Sequence, residues 1–143
     1  AQARYASSTN TLGSGTEVEA HTLSVLTNSS NGYTLTLKGG TLSSASSSIA
    51  AIGGTPANST PGTEQFGLRV TASGGSGSVA YPYASSSSFA FGASTSTPSL
   101  IASASVGDNA TTTYSVRYIV NLSSTTQSDA YYSSLVYVAT ANF

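Results

Sequence analysis

Side chains able to do covalent or metal chemistry are few in this chain. His21 is the only histidine and there is no cysteine. A triad built on His21 would have a base but no thiol, and a structural zinc site would lack most of its ligands. The plainer reading of His21 is an exposed or edge-strand residue. The acids are Glu17, Glu19, Glu64, Asp108 and Asp129. Glu17 and Glu19 fall on one face of an extended segment and could hold calcium together with loop carbonyls. No Asp-x-Asp-x-Asp loop supports them, and acids so spaced also serve to discourage unwanted pairing at a sheet edge. Glycoside hydrolysis needs two carboxylates facing across a cleft, and the spacing places no such pair. Lys38, the single lysine, could in principle condense with Asn142 into an isopeptide bond, but alternation sets Lys38 on a polar face. There is no Gly-x-Ser-x-Gly elbow, no Gly-x-Gly-x-x-Gly after a strand and no Walker loop. The expectation is a protein that is not an enzyme, with no catalytic, cofactor-binding or metal-binding residue and no cofactor.

Two further residue sets offer binding or modification rather than catalysis. Asn28-Ser29-Ser30, Asn58-Ser59-Thr60, Asn109-Ala110-Thr111 and Asn121-Leu122-Ser123 fit the N-glycosylation acceptor pattern, and the serine runs would suit hydroxyl-linked glycans. Tyr81, Tyr83, Phe89 and Phe91 cluster, and Tyr131–Tyr132 form a pair. These rings could make a glycan-stacking platform. Without any tryptophan, core or intersubunit packing is the better reading.

Composition narrows the setting. Charged residues make up 6% of the 143-residue chain, against about 25% in ordinary soluble proteins. Thirty serines and 20 threonines take their place. A hydroxyl-covered surface stays wet without charge and offers few sites to trypsin-like proteases, which suits the outside of a cell. Four basic residues and a net charge of -1 cannot build the track that a nucleic acid requires. No apolar run approaches the about 20 residues of a membrane span, so membrane insertion of the mature chain is not expected. The Ala1-Gln2-Ala3 start has the small-residue texture of a signal-cleavage site and leads us to expect export through a cleaved signal peptide. A net charge so near zero also weakens repulsion between copies.

The elements that must carry these residues read as strands. In "YSVRYIVNL", Tyr114, Val116, Tyr118, Val120 and Leu122 share one face. "QFGLRVTA" sets Phe66, Leu68, Val70 and Ala72 together, "YTLTLKG" sets Tyr33, Leu35 and Leu37 together, and "HTLSVLT" offers Leu23 and Val25. Asn31-Gly32 between the last two predicts a hairpin. Shorter strands are expected around Ile49–Ile52, Val79–Tyr83, Phe89–Phe91 and Leu100–Ala104, with Gly/Ser loops and prolines between them. Helical periodicity is absent. The pattern predicts an all-β fold, a single β-sandwich of Ig-like or jelly-roll-like kind with about eight or nine mostly antiparallel strands. "LSVLTNSSNGYTLTL" and "YIVNLSSTTQSDAYYSSLVYV" echo each other weakly as strand, Asn/Ser loop and Tyr-led strand.

Both ends invite pairing. The stretch Tyr131–Phe143 carries apolar residues on both faces, which predicts a strand inside the sandwich. Residues 1–15 read as an extended arm and residues 16–143 as the sandwich. In the arm Ala1, Ala3 and Tyr5 alternate before a Ser/Thr/Gly run that includes Leu12. Such an arm either folds back along its own domain or pairs with a neighbouring copy by strand addition, where backbone bonds of about 1 kcal/mol net each accumulate. Donation in the second sense builds a filament. Ala1, Ala3, Tyr5 and Leu12 are then the donor residues, and an edge carrying Tyr131, Leu135, Tyr137 and Phe143 is the acceptor.

Three segments, "TLSVLTNSSNGYTLTLKG", "TPGTEQFGLRV" and "TTTYSVRYIVNLSSTTQSDAYYSSLVYVATANF", together resemble secreted Ser/Thr-rich surface proteins of the Patescibacteria (the candidate phyla radiation). The likeness spans most of Thr22 to Phe143. It implies export and surface display, and it brings no catalytic residues with it. By looser analogy the architecture is similar to fibre subunits that donate a terminal strand. The function expected is a non-catalytic extracellular subunit that assembles with copies of itself into a surface filament or pilus-like fibre. The alternative is a monomeric adhesin or glycan-binding module facing host-cell or surface glycans.

Overall fold

In the computed structural model, residues 4–6 and 19–143 are described. Eight strands follow in chain order: β1 (Arg4–Ala6), β2 (His21–Val25), β3 (Tyr33–Gly39), β4 (Gln65–Ser73), β5 (Ser78–Val79), β6 (Ser99–Ala104), β7 (Thr112–Asn121) and β8 (Leu135–Ala141). No helix occurs among the described residues. β7 is the axis of the first sheet. β4 runs antiparallel along one of its edges from Gln65↔Asn121 to Ser73↔Thr113. The other edge is shared: β2 pairs antiparallel from His21↔Val116 to Val25↔Thr112, and β1 pairs in parallel from Arg4↔Ile119 to Ala6↔Asn121. The second sheet has the order β5-β6-β3-β8, antiparallel throughout.

The antiparallel strands therefore number seven, three in one sheet and four in the other, fewer than the eight or nine expected. Ile49–Ile52 and Phe89–Phe91 are the difference. They make isolated bridges, two onto the far edge of β4 (Ala51↔Phe66, Leu68↔Ala90) and one outside it (Ala57↔Phe89). Nearby Gly53, Gly54, Pro56 and Gly92 prevent those bridges from extending into ladders.

Alternation does what the sequence implies. The even-numbered side chains of β4 and β7 from Phe66 to Val70 and Tyr114 to Tyr118 meet Tyr33, Leu35 and Leu37 of β3 and Ile101, Ala102 and Ala104 of β6 in one buried core. Two antiparallel sheets thus close on a common interior, a sandwich-like arrangement. A bulge between Leu35 and Thr36 skips Ile101 in the β3–β6 register, so Ile101 and Ala102 are both buried. Tyr33 and Tyr114 satisfy each other's hydroxyls at 2.7 Å inside this core.

Two expectations fail. The Asn31-Gly32 turn is real: Gly32 has φ of 69° and its N–H donates to the Ser29 carbonyl at 3.0 Å. It does not make a hairpin, because β2 belongs to the first sheet and β3 to the second. Both edges of β3 are taken by β6 and β8, and crossing between sheets lets Leu23 and Val25 pack against the common core from the first sheet. β8 does not lie inside its sheet either. It is an edge strand, laddered to β3 on one side, and its side chains are exposed from Val138 through Ala141.

Candidate functional site

The two sheets do not meet along the whole of the first sheet's shared edge. β2 stops at the level of Val116, leaving the edge of β7 beyond it for the three residues of β1. A groove of about 460 Å³ opens there. The first sheet contributes His21, Phe66, Tyr118 and Val120, β8 contributes Leu135 and Tyr137, and Leu42 and Tyr131 to Ser133 complete it. Each strand residue follows from alternation. His21 shares the inward parity of Leu23 and Val25, and Tyr118 and Val120 share that of Tyr114 and Val116. Beyond the β3–β8 ladder the chain is held by the reciprocal Ser43–Tyr132 backbone pair at 2.9 Å and by the Ser133 hydroxyl donating to the Gly40 carbonyl at 2.7 Å. Tyr131 is fixed by its hydroxyl, which donates to the Gln127 carbonyl at 2.9 Å.

Hydroxyls and rings in the groove are already organised. His21 Nε2 and the Tyr118 hydroxyl share a hydrogen bond of 2.9 Å, and the Tyr118 hydroxyl is also bonded to that of Tyr137. The imidazole meets the Tyr137 ring edge-on with centroids 5.4 Å apart, and Phe66 stacks on Tyr118 at 6.0 Å. Desolvation by burial lowers the His21 pKa below its ordinary 6.5, more than the backbone bond of Thr22 raises it. Burial likewise raises the Tyr118 and Tyr137 phenols. A neutral imidazole and two protonated phenols form a polar thread through an otherwise apolar surface. Such a surface can pack a side chain or a sugar ring.

Of the residues expected at an acceptor edge, Tyr131, Leu135 and Tyr137 come together in this groove, while Phe143 lies beyond β8 and is fully exposed. Of the donor residues, Tyr5 lies in β1 at the register position opposite Val120. Ala1, Ala3 and Leu12 lie outside the described residues, as does Glu17 of the calcium pair. His21, Tyr118, Phe66, Val120 and Leu42 were not expected at the site. The parity of His21 with Leu23 was the available signal for the first of them.

The other candidates separate cleanly. Tyr83, Phe89 and Phe91 are buried, and only Tyr81 of that cluster is exposed, at 72%. A glycan platform on Tyr81 and Tyr83 is therefore ruled out by packing: the Tyr83 hydroxyl is spent on Ser99 at 2.8 Å. Asn28, Asn58 and Asn109 are exposed. Asn121 is 1% exposed, and its amide nitrogen donates to Gln65 Oε1 at 2.8 Å and Ser59 Oγ at 3.0 Å. That removes it from the acceptors available on the folded chain. Lys38 is exposed opposite Val136, and Asn142 sits at the other end of the β3–β8 ladder, so the two cannot condense. Among the described residues no three His, Cys, Asp or Glu side chains come together as a metal would need. Compared with protein-family models, curated proteins and solved structures, the chain matches none of them.

Proposed function

We propose that this chain is a non-catalytic extracellular structural subunit, exported and displayed at the cell surface, that assembles with copies of itself into a filament or pilus-like fibre by β-strand addition. The observation that carries this reading is β8. Its sequence, Leu-Val-Tyr-Val-Ala-Thr-Ala, has neither charge nor proline, and among the described residues it is laddered on one side only. Val136 and Val138 stand 53% and 45% exposed on it. Proteins that stay apart blunt such edges with lysine, proline or bulges. A bare apolar edge beside an aromatic groove is an invitation to another strand. With charged residues at 6% and a net charge of -1, little repulsion keeps copies apart. The resemblance to secreted Ser/Thr-rich surface proteins points the same way, and an Ig-like or jelly-roll-like sandwich is the scaffold such subunits need. Purified chain is expected to form fibres in negative-stain images and high-mass species on sizing as its concentration rises. A single compact particle at all concentrations retires the reading.

The groove favours one second reading, a monomeric adhesin. Tyr131, Tyr132, Tyr137 and His21 around about 460 Å³ would suit one or two sugar rings. Saturable glycan binding that Tyr132→Ala abolishes, in a chain that stays monomeric, selects it.

A further inference from the structure

The groove and the β7 edge above it form one slot, and the way β1 occupies that slot bears on assembly. β1 bonds to β7 in the parallel sense, with Arg4 opposite Ile119 and Ala6 opposite Asn121. β2 bonds to the same edge in the antiparallel sense, starting at His21↔Val116, with the Ala20 N–H donating to the Val116 carbonyl at 2.9 Å. The chain thus leaves β1 heading away from β2. The end of β1 and the start of β2 lie at the levels of Asn121 and Val116, roughly 16 Å apart at a strand's rise, and residues 7–19 join them in sequence. Extended, those residues reach about 40 Å. The length is ample for closing on the chain's own slot, and ample also for crossing to a slot on an adjacent copy without reversing.

The hold of β1 on its own slot is slight. It spans three register pairs, in the weaker parallel geometry, each backbone bond contributing about 1 kcal/mol net. Closure within the chain is favoured in dilute solution by an effective concentration in the millimolar range for a short flexible linker. It loses that advantage once copies are crowded together and exchange leaves every slot filled. Exchange of an identical element between copies makes and breaks the same bonds, so its intrinsic cost is low.

Resting on the assembly reading above, we infer that in the polymer the edge of β7 at Ile119–Asn121, beside the aromatic groove, is paired with Arg4–Ala6 of the neighbouring copy. The strand a chain lays on its own β7 is the capped, unassembled form. The backbone partner of the donated strand is β7, and β8 supplies the facing wall through Leu135 and Tyr137. This differs from strand addition onto the free edge of β8.

The absence of cysteine makes the test direct. One chain carries Tyr5→Cys and another Val120→Cys, positions opposite each other in the register and within disulfide reach for neighbouring strands. Mixed, assembled and oxidised, they are expected to give a disulfide-linked heterodimer at least tenfold above a mixture of Tyr5→Cys with Leu26→Cys. A chain bearing both Tyr5→Cys and Val120→Cys is expected to give a ladder of covalent multimers. If fibres form but the doubly substituted chain links only to itself and the mixed chains stay unlinked, the slot assignment is wrong and the assembly reading survives. If no fibres form under any condition, the assembly reading falls and takes this inference with it. A second variant, deletion of residues 7–18, leaves only Glu19 to span about 7 Å, too little for closure on the same chain. It is expected to polymerise at severalfold lower concentration, and a persistently monomeric deletion variant overturns the inference.

Discussion

β7 and β8 use the same alphabet, Tyr, Val and Thr on a two-residue period, and both pack against strands whose inward face is buried. β7 is laddered on both edges along most of its length and buries Tyr114, Val116, Tyr118 and Ile119. Among the described residues β8 is laddered to β3 alone, and only Leu135 and Tyr137 are half-covered within it. Residue type does not separate the two strands; the number of neighbours does. The lesson is that this fold concentrates its stability on β7 and leaves β8 as surface, so substitutions that look alike on paper should have unlike effects.

The largest expected effect is on β7. Ile119→Ala deletes a fully buried side chain and should lower stability by about 2–5 kcal/mol, whereas Val138→Ala on β8 should stay within about 0.5 kcal/mol. Denaturant unfolding of both variants checks the contrast, and equal losses would break it. Gly67 comes next. A Cβ there would lie 2.6 Å from Ile52 Cγ2 and 3.2 Å from Phe89 Cβ, so Gly67→Ala should cost about 1–3 kcal/mol through overpacking. An unchanged midpoint would show that the segments over β4 are looser than their packing implies.

Titration sharpens the comparison further. The phenols of Tyr114, Tyr118 and Tyr137 are all raised above their ordinary 10.0, in each case chiefly by desolvation. The unfolded chain gives up these protons first, so the stability they contribute is complete below about pH 10 and is lost as pH rises past it. Unfolding midpoints measured on either side of pH 10 should fall, and less so in Tyr137→Phe. The pKa of His21 is lowered, again mainly by burial. Here the unfolded chain takes up the proton first, so stability present above about pH 6.5 is lost as pH drops below it. His21→Gln should flatten that acid limb. The smallest stability change is expected for Val138→Lys, within about 0.5 kcal/mol. That variant nevertheless places a charge on the bare edge of β8, and reduced fibre yield in images would tie the edge to assembly.

Much of this was legible in the letters. β3, β4, β7 and the inward residues of β2 followed from strict alternation, since a period of two in a half-buried strand is a local signature of one wet and one dry face. What failed was non-local. The Asn31-Gly32 pair reports a tight turn, and nothing within five residues tells whether the chain returns beside itself or crosses to the facing sheet. Apolar residues on both faces of β8 read as burial, because exposure on the Val136 and Val138 side depends on the lack of a neighbour. The groove escaped for the same reason. Leu42, Phe66 and Tyr118 lie far apart in sequence and meet only once both sheets are assembled, although the His21–Leu23–Val25 parity already turned the imidazole inward.

The hydroxyl thread from His21 through Tyr118 to Tyr137 has a practical corollary. The chain has no tryptophan, so its intrinsic fluorescence is tyrosine emission alone, with no indole to drain it by energy transfer. Four of its nine tyrosines line the groove, and the phenols of Tyr118, Tyr131 and Tyr137 are hydrogen-bonded there, a condition that governs tyrosine quantum yield. Occupation of the groove is therefore expected to change the tyrosine emission of the protein itself, and Tyr118→Phe and Tyr137→Phe would identify which ring carries the signal, without any attached dye.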